Sequence, residues 1–99
     1  MSRVITLSTR INPSVLQRLE KNIGKRVQII VDRNYGFEGV IVTISQNPPG
    51  LWLSNAESIV LRTTLANPLP QVVRREDVSE LFVNLNSIER IVILTQGEH

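Results

Sequence analysis

The chain has no cysteine, and among its 99 residues only one histidine, one tryptophan, one tyrosine and two phenylalanines. Without cysteine there is no disulfide framework and no thiolate metal site. The histidine is His99, in the terminal "GEH", which leaves imidazole-type acid–base chemistry without an interior candidate. The carboxylates nearest one another, Glu76, Asp77 and Glu80, stand in a run that mixes them with Arg74 and Arg75, with no apolar pocket signal to shift a pKa. The five glycines are scattered, so no phosphate-cradling loop is spelled out. Catalysis has little to stand on, and neither cofactor nor metal is expected. No apolar run approaches the ~18 to 20 residues of a membrane span. The opening "MSRVITLSTR" is too polar for a secretory signal. The expectation is a cytoplasmic protein with no membrane partner.

What is present is aliphatic. Hydrophobic residues make up 41% of the chain but aromatics only 4%, so the core must be built from Val, Ile and Leu, which suit a pleated sheet. A chain of 99 residues forms one small domain, which packs tightly or borrows stability from neighbouring chains. The net charge is only +2, yet nine of the eleven basic residues are arginine, the side chain that forks onto phosphate and stacks on bases. Surface ion pairs with the nine carboxylates explain those arginines equally well.

The pattern along the chain begins with "NPSVLQRLEKNIG". Asn12 is placed to cap a helix, Pro13 suits its first position and Gly24 can close it, which predicts a helix over about 12–23 with Val15, Leu16, Leu19 and Ile23 on one face. From Lys25 the period becomes two. Val27, Ile29 and Val31 alternate up to the turn residues Asp32 to Asn34, and "YGFEGVIVTI" follows as the return strand of a hairpin. Gly39 falls in the middle of that long strand, where a missing side chain permits a bend. A third strand covers "LWLSNAESIVLRTTL", with "SNAES" as a place for a bulge and Trp52 facing away from Leu51 and Leu53. "ANPLP" is a loop. "QVVRREDVSELFVNL" resumes as strand, interrupted near "REDVS", where Arg74, Arg75, Glu76 and Asp77 read as a solvated tip. A last strand starts near Ile88, and 95–99 form a tail. Strands without crossover helices imply an antiparallel sheet or barrel over about 25–94. "LFVNL" and "IVIL" are apolar on both faces, a hazard at an open sheet edge that pairing with another subunit would remove.

A helix followed by five strands, the second bent at a glycine, resembles the order of the Sm and Sm-like RNA-binding proteins. The stretch "IGKRVQIIVDRNYGFEGVIVTI" resembles the first Sm motif, with Gly24, Val27, Ile29, Val31, Phe37 and Gly39 at matching positions. "LWLSNAE" looks like the third strand of that family, and "LFVNLNSIERIVIL" has the length and apolar pattern of the second Sm motif. The resemblance covers about three quarters of the chain and implies a mainly β fold, an N-terminal helix followed by a strongly bent five-stranded antiparallel SH3-like barrel. It also implies an archaeal Sm-like protein that forms a homo-oligomeric ring of six or seven subunits, in which the fourth strand of one subunit pairs with the fifth of the next. The partner it implies is single-stranded RNA, with the ring acting as a scaffold or chaperone in RNA processing.

In that family one loop carries an Asp-x-aromatic-or-Met-Asn pattern and the second motif an Arg-Gly pair, so that a uracil is sandwiched between the aromatic or Met and the Arg while the Asn reads its edge. Here the family's Asp falls on Ser45, the stacking position near Asn47 or Pro48, and the reading Asn around Pro49 and Gly50, with one residue inserted. The Arg-Gly pair falls on Asn84 and Leu85. The usual pocket is therefore largely absent. Ser45, Gln46, Asn47, Asn84 and Asn86 remain as amide and hydroxyl groups able to line a pore. On the plainer reading "QNPPG" is only a turn, with the prolines fixing the backbone and Gly50 supplying an unusual φ. Arg33 and Tyr35, beside Arg10, form a second candidate, able to hold phosphate and stack a base, or simply a solvated turn. If neither binds RNA, the resemblance leaves an oligomeric scaffold or protein-interaction ring.

Overall fold

The computed structural model describes residues 2–6, 13–66, 68, 69 and 71–94, with Ser2–Thr6 and Pro13 described by their backbone. Asn12, Arg10 and the tail 95–99 lie outside the described residues. The elements are strand β1 (Ser2–Thr6), helix α1 (Pro13–Glu20), strands β2 (Arg26–Asp32), β3 (Tyr35–Gln46), β4 (Pro49–Arg62) and β5 (Gln71–Asn84), a short 3₁₀ turn η1 (Leu85–Ser87) and strand β6 (Arg90–Leu94).

The helix is shorter than its apolar pattern predicts. After Glu20 the chain tightens, with the Asn22 N–H donating to Leu19 O at 2.9 Å and the Ile23 N–H to Glu20 O at 3.3 Å. The four-residue period therefore fails at its last member. Leu19 is buried, Val15 and Leu16 pack against the core, and Ile23 is 46% exposed. Asn22 takes the inward place instead, its Nδ2 donating to Arg18 O at 2.7 Å. Gly24 closes the segment at φ 91° as expected, and its N–H donates to Ile41 O at 2.8 Å, which ties the end of the helix to β3.

The strands form one antiparallel sheet in the order β1-β6-β2-β3-β4-β5. The five members other than β1 are those expected. The Asp32–Asn34 turn is an Asx turn, with Asp32 Oδ1 accepting from the Asn34 N–H at 2.9 Å. In β3 the pairing with β4 slips between Glu38 and Val40, so Gly39 stands at a bulge. A Cβ there would lie 3.1 Å from Leu53 Cβ and 3.2 Å from Ala56 Cα, so a side chain would require β4 to give by a few tenths of an ångström, and glycine lets the strand cross this closely. A second irregularity, at "SNAES", carries Asn55 at φ 47°. The core on one face consists of Leu19, Val27, Ile29, Ile41, Leu51, Leu53 and their aliphatic neighbours. Ile30, next to Ile29 and so on the opposite face, gathers a smaller cluster with Ile59 and Leu61.

Three sequence expectations are corrected. The sheet is bent but not closed into a barrel, since among the described residues β1 and β5 end it without pairing with one another. β5 is one continuous strand through "REDVS", because it absorbs the irregularity by register shifts against β4 and a positive φ of 65° at Ser79. Arg74 and Arg75 therefore lie in the ladder opposite Val60 and Ile59, not at a tip. Third, a strand precedes the helix. Ser2–Thr6 pairs along the whole of β6, from Ser2 opposite Leu94 to Thr6 opposite Arg90. Because β6 also pairs with β2, it is an interior strand and not the open edge its position in the chain suggests.

Candidate functional site

The turn at "QNPPG" is local. Gln46 pairs with Pro49 and Ser45 with Gly50, so Asn47 and Pro48 alone make the turn between β3 and β4, across a cis Asn47–Pro48 bond. Ser45 Oγ donates to Pro48 O at 2.7 Å, fastening the turn from within. Gly50 is glycine for a reason other than φ. A Cβ on it would lie 2.1 Å from Phe82 Cζ and 2.8 Å from Val83 O, so the residue is the gap through which β5 approaches. The Phe82 ring that fills this space stacks at a tilt on Trp52, centroids 5.1 Å apart. Trp52 faces outward, 46% exposed, between the buried Leu51 and Leu53, as alternation requires.

The register places Ser45, Gly50 and Asn84 in one row across β3, β4 and β5. Two strand spacings of about 4.8 Å put Ser45 and Asn84 roughly 10 Å apart. Asn84 begins η1, its Oδ1 accepting from the Asn86 N–H at 2.8 Å and its carbonyl accepting from Ser87 Oγ at 3.3 Å. Its Nδ2 remains as an outward donor. Gln46, Asn47, Asn84 and Asn86 are exposed and Ser45 half-buried. All five polar candidates thus share one end of the sheet. Beside Asn84 an apolar groove of about 220 Å³ runs between Val31, Phe37, Leu81 and Ile88.

Arg33 and Tyr35 do not join them. They stand at the opposite end of β3, at the β2–β3 turn. Tyr35 is 40% exposed and packs edge-on against Phe37 at 5.3 Å. Asn34 O accepts from the Leu61 N–H at 2.8 Å, which fixes the turn to β4. Arg33 is exposed and makes no ion pair among the described residues.

Between these ends lies a charged cluster that the sequence reading missed. Gln28, Glu38 and Glu57 oppose one another across β2, β3 and β4. Arg26 Nε meets Glu38 Oε2 at 2.8 Å, and Arg75 Nη1 bridges Glu38 Oε1 at 3.1 Å and Glu57 Oε1 at 2.8 Å. Burial pushes the Glu38 carboxyl up. The Arg26 hydrogen bond, the Arg75 charge and Gln28 outweigh it and hold the group below its ordinary value of 4.5. Glu57 in turn holds the Arg75 guanidinium higher than usual, against the opposing effect of burial. Each carboxylate is bound by arginine, so the cluster braces four strands and offers no acid–base pair. Its sequence signal was the recurrence of polar residues at paired positions of otherwise aliphatic strands.

Over 87% of this chain and 100% of the other, the architecture matches the P. aerophilum SmAP1 heptamer with a TM-score of 0.61 at 17% identity. The Sm protein of Pyrococcus abyssii, solved in complex with a uridine heptamer, matches with a TM-score of 0.57 at 14% identity, over 85% and 100% of the two chains. The fold is the Sm fold. A chain of the NatC complex bound to Gag peptide and CoA also matches, with a TM-score of 0.54 at 16% identity over 78% and 90% of the two chains. No protein-family model and no curated protein matches the sequence. At these identities the likeness establishes architecture, and the chemistry must come from the residues above.

Proposed function

We propose that the chain is a single-domain cytoplasmic subunit of a homo-oligomeric Sm-like ring that binds single-stranded RNA as a scaffold or chaperone in RNA processing. In this reading no catalytic step is involved. RNA is held at the end formed by Ser45, Gln46, Asn47, Asn84 and Asn86. The observation that carries the reading is the row Ser45–Gly50–Asn84, which sets two amide-bearing turns side by side at one end of the fold. That fold is shared with a protein solved with a uridine heptamer. The amides can meet the edges of unstacked bases, as single-strand recognition requires. A stacking aromatic and an arginine are missing from these turns, so each site is weak and less selective. Repetition around a ring compensates by holding one strand at many points. Oligo-uridine binding by the chain and by Asn47→Ala tests this. Weaker binding by an intact variant ring is the expected outcome, and unchanged affinity would remove the turn from the site.

A second reading, an Sm-fold ring that binds proteins, has its own support. Trp52 and Val42 are exposed large apolar residues, 46% and 51%, around an open hollow of about 290 Å³ that Thr43, Leu53 and Glu80 also line. Exposed apolar surface of this kind marks contact sites. The likeness to a chain of a protein complex supports it too. Trp52→Ala tests the second reading, which expects the variant ring to lose its protein partner. Under the RNA reading, oligo-uridine affinity per assembled ring is unchanged.

A further inference from the structure

The Sm-like ring of the proposed function needs an open edge on β6 to receive β5 of a neighbour, and this inference rests on that reading. The two edges of the sheet are unequal. Among the described residues β5 presents an unpaired side over 14 residues, Gln71–Asn84. The corresponding side of β6 is already taken by β1, residue for residue over Ser2–Thr6. An unpaired strand edge is a template for another strand, and here the chain supplies one from its own N-terminal segment.

We infer that β1 is a displaceable plug on the β6 edge, and that β5 of a second copy replaces it when the assembly forms. The sequence suits both duties. "SRVIT" carries β-branched Val4, Ile5 and Thr6, which favour a strand, and it is five residues long with one arginine, a short charged edge that resists further strand addition. Only six residues separate Thr6 from Pro13 of α1. So short a tether gives β1 a high effective concentration at β6, and in a dilute chain self-pairing wins. The incoming β5 can pair with the same five residues of β6 and brings apolar side chains such as Phe82, so it prevails once chains are abundant. Assembly is thereby tied to concentration, because a partner sees only the fraction of chains whose edge is open.

The test compares three forms of the full chain by sedimentation velocity across a concentration series. Deleting residues 2–6 should lower the concentration for half-assembly by about tenfold, as expected if roughly one chain in ten is open at a time. Val4→Cys combined with Val92→Cys locks the plug. These positions oppose one another in the register. Opposed antiparallel residues lie about 4.5 to 5.5 Å apart at Cα, within disulfide range. The chain has no other cysteine to interfere. The oxidised form should stay unassembled where its reduced form assembles, and this comparison decides the matter even if the deletion fails to fold. Equal assembly of the native, deleted and oxidised forms would overturn the plug while leaving the ring intact. A deletion that assembles less well would also overturn it, by making β1 part of the interface. Monomers in every form, including the deletion at the highest concentration, would refute the ring itself and this inference with it.

Discussion

The two ends of β3 carry two candidate surfaces, and their side chains are held in different ways. At the Asn47 end, polar groups are bound into their own turns: Ser45 Oγ to Pro48 O, and Asn84 Oδ1 to the Asn86 N–H. At the Arg33 end the backbone is tied down through Asn34 O while Arg33 itself projects without an ion pair among the described residues. The difference separates two kinds of contact. The first end is preorganised to read a shape with partial dipoles, at low cost in ordering. The second can supply charge, which follows a phosphate without reading its base. If RNA binds, the first end sets selectivity and the second adds salt-dependent attraction.

The largest expected effect comes from the glycines that let each end form. A Cβ on Gly36 would meet Ile29 O, a backbone atom, at 2.1 Å. At Gly50 the nearest atoms belong to the Phe82 ring, which can swing aside, and the backbone atom met there, Val83 O at 2.8 Å, stands farther off than Ile29 O does from Gly36. Gly36→Ala should cost about 3 kcal/mol in urea unfolding and Gly50→Ala about 1 to 2, because overpacking is relieved only where the obstacle can move. The reverse order would contradict this account of the two approaches.

Next in size is the brace between the ends. Glu38→Gln weakens two arginine contacts and should cost about 2 kcal/mol at neutral pH, the scale of hydrogen bonds to charged groups. The sign of its pH dependence follows from its depressed folded value. The contribution is complete above the ordinary 4.5 and is lost as pH falls through that value and below it. Urea titrations at a series of pH values should show native stability dropping in that window and a flatter profile for Glu38→Gln. Parallel profiles would mean that Glu38 is not the group responsible.

Smaller effects test the surfaces directly. Asn84→Ala removes the side chain that caps η1 and should cost about 1 kcal/mol of stability. It should also weaken oligo-uridine binding in rings that remain intact. Arg33→Ala should leave stability within about 0.5 kcal/mol, since it is an exposed surface change. If this arginine touches phosphate, the slope of log affinity against log salt should shrink by about one. An unchanged slope would confine RNA to the Asn47 end.

Much of this architecture was legible in the sequence, because alternation with a glycine at mid-strand is enforced by the core itself. The helix, the Asp32–Asn34 turn, the outward Trp52 and the bulge at Asn55 followed from local chemistry. What was missed depended on partners distant in sequence. "SRVIT" reads as a polar start until β6 is seen beside it. "REDVS" reads as a tip until Arg75 is found between Glu38 and Glu57. Gly50 suggests an unusual φ until Phe82 is seen in its place. The site was legible only as a set of polar residues. That Ser45 and Asn84 share a row, while Arg33 and Tyr35 stand apart, is a matter of register.

The most direct test of the central claim is the mass of the native assembly, measured with and without a short oligo-uridine under conditions where an established Sm ring loads RNA. The account predicts a ring that gains the mass of the RNA. A ring that stays bare would contradict RNA binding and leave the protein-binding reading, and a monomer at every concentration would contradict the ring.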